Sequence, residues 1–230
     1  GLLCSQDPDL RLQQITELTE RTEPGICEEL NRLLPAIDEL DRGYFLSLAD
    51  LSVRALRQLS PAQYETFRAN LEWLVASDSQ INLFEYMLQR MIVRRLDPDF
   101  RPVKKPIVQY YAIQLLLPDC AILLSGLAHL GQDSEAEALL AFQKGATLLR
   151  NDPDLHFLPL TECNLPQMDA ALDRIAQGTP KLKEQILTAL LATAASDGKL
   201  QRREAELLRA VADSLDVPVP PFLRAPTPPA

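Results

Sequence analysis

The chain has 230 residues, 47% of them hydrophobic and 24% charged, and a formal net charge of −9. This is the composition of a soluble chain long enough for one large or two small domains, each with a buried core. The negative charge excludes a nucleic-acid backbone as the expected partner. Leu and Ala dominate while only 8 residues are Gly, which favours helix.

Five helices are predicted in residues 1–98, the N-terminal helical half. They start at Asp7-Pro8, at Pro24-Gly25, after a break at residues 41–43, at Ser60-Pro61 and near Asn82. A proline in the first helical turn loses no hydrogen bond, and a preceding Ser or Asp can cap the helix. Pro35 is expected to kink or split the second helix, and Asp97-Pro98 to close the fifth.

Residues 99–106, with two prolines and several charges, are predicted to link this half to a second helical half at residues 107–216. There, helices are predicted from Pro118-Asp119, from Ser134, from Pro166, from Thr179-Pro180 and after Asp197-Gly198. Residues 107–117 fit either extended or helical structure, and residues 217–230 form a Pro-rich tail. The sequence thus predicts an all-α protein of about ten helices, packed as a helical bundle.

Four cysteines are widely spaced and include no CxxC pair, which argues against a zinc knuckle or a thioredoxin-like site. They are Cys4, Cys27, Cys120 and Cys163. We expect buried free thiols. The longest apolar stretch, residues 113–130, is interrupted by Pro118-Asp119, so no membrane span is expected here.

Residues 77–85 and 196–204 resemble each other at an offset of 119 positions (196 − 77). Without a gap, the same offset pairs Pro61 with Pro180 and Leu71 with Leu190. It also pairs Glu85 with Glu204. We interpret residues 60–98 and 179–216 as two copies of one helix–turn–helix unit. Gly198 can take a positive φ at the second turn without strain.

A helix, the break Ser196-Asp197-Gly198-Lys199-Leu200 and a Glu at 204 together resemble the tellurite-resistance TerB-like helical fold. The order of the whole chain also resembles the C-terminal soluble region of bacterial HtpX-like membrane zinc metallopeptidases. Stretches that carry this second resemblance are residues 59–61, 67–70, 83–86 and 170–173. The resemblance implies a cytoplasmic accessory region, with a zinc-containing peptidase core encoded before Gly1.

The chain lacks HExxH, GxGxxG, GxxxxGK[ST] and GxSxG, and its two histidines, His129 and His156, have no ligand-like spacing. We therefore expect no enzymatic activity and no cofactor in this chain.

The candidate site residues are two acidic pairs, Asp78 with Glu85 and Asp197 with Glu204. They fit two interpretations. Both carboxylates of a pair can stabilise a helix N-terminus, or they can converge on a hard cation such as Ca²⁺. A Ca²⁺ site takes about six to eight oxygens, and each turn supplies two acidic groups.

The function that the resemblance implies is a non-catalytic regulatory or protein-interaction region at the cytoplasmic face of a bacterial membrane. Its partner would be another protein or the peptidase domain of the same polypeptide. The alternative is a stand-alone, cytoplasmic TerB-like module that responds to metal or stress. The sequence does not predict the oligomeric state.

Overall fold

The computed structural model of the chain describes residues 1–5, 7–23, 25–77, 83–102, 107–132, 134–149, 155–198, 200 and 202–218. The fold is all-α, as the sequence predicts. Ten α-helices lie in these residues, with no β-strand among them and a single isolated bridge between Tyr110 and Gly178. The chain forms two compact units, residues 1–103 and 104–230, and the division between them along the sequence falls within the segment predicted as a linker.

Unit 1 contains five helices. They are α1 (Pro8–Arg21), α2 (Ile26–Asp38), α3 (Phe45–Leu56), α4 (Pro61–Ser77) and α5 (Leu83–Phe100). In its core, α5 packs against α3 and α4, while α1 packs against α2 and α4. Side chains that are completely buried on α4 and α5 include Tyr64, Met87 and Leu96. Their removal from water is the main force that holds the unit together.

Unit 2 also contains five helices. They are α6 (Leu117–Gly131), α7 (Glu135–Ala146), α8 (Leu165–Ala176), α9 (Pro180–Ala194) and α10 (Arg202–Leu215). The apolar helix α6 lies at the centre and packs against α7, α8 and α9, and α10 covers α8 and α9. A short 3₁₀ segment, Ile113–Leu116, leads into α6. Residues 107–117, which fit two structures by sequence, therefore combine one bridge with a 3₁₀ turn.

The segment Ile113–Gly131 is long and apolar enough to cross a membrane, with a mean hydropathy of 1.6. It is the one such segment among the residues that the structure describes. About two thirds of it, 67%, is buried inside the protein, where α7, α8 and α9 surround it. This is the environment of a core helix.

The predicted helix starts are confirmed where the structure describes them. Pro61 and Pro180 each begin a helix, and the hydroxyl of Thr179 accepts from the backbone N–H of Leu182 (3.4 Å). Ser60 and Gln63 satisfy each other's backbone N–H groups as a capping box. Each cap accepts a hydrogen bond from a backbone N–H that would otherwise be unpaired at the helix end. Because this interaction is local, a Ser or Thr before Pro is a reliable sequence signal for a helix start.

The predicted end of α5 at Asp97-Pro98 is wrong, because the helix continues to Phe100. Contacts with α4 hold this last turn. Asp97 accepts hydrogen bonds from the Tyr64 hydroxyl (2.6 Å) and from Arg68 (3.1 Å), and the ring of Phe100 stacks on Tyr64 at 4.3 Å. Burial raises the pKa of Tyr64, so its phenol stays protonated as the donor. These contacts outweigh the hydrogen bond that Pro98 cannot make.

Pro35 does not split α2, which runs unbroken from Ile26 to Asp38. Only three residues of the helix follow the proline. The missing hydrogen bond therefore falls in the last turn, where helices are already weakly bonded.

All four cysteines are buried free thiols, as predicted. Burial raises the pKa of Cys120 to about 12, and it raises that of Cys163 to about 11. Both sulfurs are therefore protonated near neutral pH and are poor nucleophiles.

Candidate functional site

The turn between α9 and α10 follows the last residue of α9, Ala194. Ala195 donates its N–H back to the carbonyl of Leu191 (2.9 Å), and Gly198 donates to the carbonyl of Ala195 (3.0 Å). Gly198 has a φ of +81°, a left-handed conformation that glycine adopts without strain. Residues 195–198 thus form a hydrogen-bonded turn at the end of α9.

Two side chains from other elements hold this turn at Ser196. Gln132, the C-cap residue of α6, donates from its Nε2 to the Ser196 hydroxyl (3.1 Å). Lys144 of α7 donates from Nζ to the backbone carbonyl of the same serine. Side-chain hydrogen bonds from the end of α6 and from α7 therefore help to fix the position of the turn, in addition to the hydrogen bonds of its own backbone.

An open groove lies between α7 and the turn, with a cavity of about 420 Å³. Its lining combines charged, amide and apolar groups: Gln132, Glu137, Leu140, Gln143, Lys144, Thr147, Ser196 and Asp197. Leu140 is 60% exposed and is the one hydrophobic residue among these lining residues. A groove of this size and mixed chemistry can accommodate a side chain or a short peptide segment.

The wall of the groove is fixed by a close approach of α7 to α9 at Gly145. A β-carbon at this position would lie 2.1 Å from the Thr193 hydroxyl oxygen and 2.7 Å from the carbonyl oxygen of Ala189. Neither distance is possible for real atoms, so only glycine permits this contact. The position of α7, and of the lining residues that it carries, depends on this packing.

The two predicted acidic residues of the second turn lie in different elements. Asp197 is exposed in the turn and lines the groove. Glu204 lies in the first turn of α10, half-buried, and its Oε1 would be 2.8 Å from a β-carbon placed on Gly131. Glu204 thus faces the end of α6, and its charge at a helix N-terminus is favourable.

Of the first acidic pair, Glu85 lies half-buried in the first turn of α5. Its predicted partner Asp78 is outside the described residues, as is Asn82, near which the fifth helix is predicted to begin. In the described part of the chain, no three His, Cys, Asp or Glu side chains come together as metal ligands. The four acidic residues, Asp78, Glu85, Asp197 and Glu204, remain candidates for cation binding or for helix stabilisation. Each pair supplies two acidic groups to its turn.

The other residues of the site are not indicated by the sequence. Gln132, Leu140 and Lys144 carry no motif, and they lie 50 or more positions before the turn that they contact or face. One weak signal was present. The helix start predicted at Ser134 placed α7 directly after α6, and Ser134 does accept from the N–H of Glu137 (3.3 Å).

Residues 160–225 match the protein-family model "TerB: Tellurite resistance protein TerB". The chain contains a TerB domain. The match includes α8, α9 and α10 and therefore the turn with Asp197, but it covers less than a third of the chain. No curated protein and no solved structure matches the chain. Six of the eight groove residues, on or beside α6 and α7, precede the matched residues 160–225, so unit 2 supplies most of this site from outside the match.

Proposed function

We propose that the chain is a non-catalytic accessory region of a membrane-bound zinc metallopeptidase. In this role unit 2 binds a protein partner, or the peptidase domain of the same polypeptide, through the groove at the α9–α10 turn. Zinc would belong to the peptidase domain, and the region would lie at the cytoplasmic face of a bacterial membrane. The sequence resemblance described above supports the peptidase context.

The groove is the single observation that carries the binding role. Its lining offers the exposed Leu140 between a carboxylate of Glu137 on one side and the amine of Lys144 on the other. Protein interfaces combine an apolar contact with polar groups at its edge in this way. The hydrogen bonds from Gln132 and Lys144 to Ser196 hold the groove in place, which lowers the conformational entropy lost on binding.

Binding of the separately produced peptidase domain to the chain tests this proposal. Leu140→Arg should abolish binding, whereas Leu160→Arg, at an exposed leucine outside the groove, should leave it unchanged. The chain alone should not cleave casein. Cleavage that a chelator abolishes, or equal binding by both variants, would contradict the proposal.

We also propose that α4–α5 and α9–α10 are two copies of one TerB-like helical pair. At the offset of 119, their first residues correspond, Pro61 with Pro180 and Leu83 with Arg202. Six buried positions of the second helix correspond as well: residues 87, 88, 89, 91, 92 and 96 in α5, and 206, 207, 208, 210, 211 and 215 in α10. Ala212 and Ser214 are also buried in α10, whereas their counterparts Val93 and Arg95 are half-buried.

A polar contact that recurs in both units supports the same proposal. In unit 1, Gln14 donates from Nε2 to the hydroxyl of Ser77 (3.0 Å). In unit 2, Gln132 makes the equivalent contact with Ser196, the residue that corresponds to Ser77. Each unit also has five helices. An experimental structure of unit 1 in which α4 and α5 cross differently from α9 and α10 would contradict the duplication.

The second candidate function is a stand-alone TerB-like module that responds to metal or stress. The TerB match and the exposed carboxylate of Asp197 favour it. Calorimetric titration with Ca²⁺ tests this function. Heat that disappears in the Asp197→Asn variant would support it, and no heat at millimolar Ca²⁺ would reject it.

A further inference from the structure

We draw no further inference here: the strongest candidate, the exposed apolar surface patch of Ile107, Val108, Tyr111 and Leu115 at the start of unit 2, carries none because nothing in the described part of the structure shows what covers it.

Discussion

At the scale of single residues, the carboxylate of Asp119 at the start of α6 depends on Arg174. Asp119 is only 2% exposed, whereas Arg174 is 50% exposed and donates from Nε at 2.8 Å. Burial raises the pKa of Asp119 and the hydrogen bond from Arg174 lowers it, with burial dominant. The pair thus allows a charge at a site that would otherwise exclude one.

The two partners should differ in what their removal costs. Arg174→Ala leaves a buried carboxylate without its cation and should lower the free energy of unfolding at neutral pH by about 2–4 kcal/mol. Asp119→Ala leaves Arg174 in contact with water and should cost less than about 1 kcal/mol. Chemical denaturation of both variants measures the difference. Equal losses would contradict this account of the pair.

The same pair makes a prediction for pH. Because the folded state raises the pKa of Asp119, the protonated form is favoured in the folded chain. The contribution of this group favours folding at low pH and is lost as the pH rises through the folded pKa. In Arg174→Ala the pKa should rise further, so the stability gap to the parent should shrink on acidification. A gap that widens as the pH falls would show that the charge of Asp119 is not the cause.

At the scale of elements, the sequence predicted the helices well and their contacts poorly. Ser60-Pro61 and Thr179-Pro180 identified two helix starts because capping is local chemistry. The end of α5 was missed because the contacts of Asp97 and Phe100 with α4 are not local. The groove was missed for the same reason, since Lys144 reaches Ser196 across 52 positions.

Close packing of α7 on α9 gives a prediction at this scale. Gly145→Ala should lower the free energy of unfolding by about 1–3 kcal/mol, because the new methyl group has no space beside Thr193 and Ala189. Gly131→Ala is the matched control. Its methyl group meets only the mobile end of Glu204, so its effect should stay within about 1 kcal/mol. Thermal denaturation compares the two, and a harmless Gly145→Ala would contradict the packing.

At the scale of the whole molecule, the TerB domain is part of a larger unit. Helices α8, α9 and α10 lie within the matched residues 160–225, but α8 and α9 pack against α6, and α9 also packs against α7. The sequence predicted the all-α class and a break near residues 99–106. It could not predict that α6 and α7 complete the unit, because apolar periodicity does not say which helices meet.

Fragments test how much of the chain the TerB domain needs. Residues 104–230 should fold alone and unfold in one cooperative thermal transition, because unit 2 contains its own core. Residues 160–225 should not fold, since the faces of α8 and α9 that α6 and α7 cover would be exposed to water. Circular dichroism of both fragments measures this. A stable fold of the shorter fragment would contradict the importance of α6 and α7.

The central claim, that this chain is an accessory region of a zinc metallopeptidase, is tested most directly by the coding sequence upstream of Gly1. Our account predicts an HExxH motif followed by or interleaved with membrane-spanning segments in the same reading frame. A start codon directly before Gly1 would contradict it and would favour the stand-alone TerB-like module.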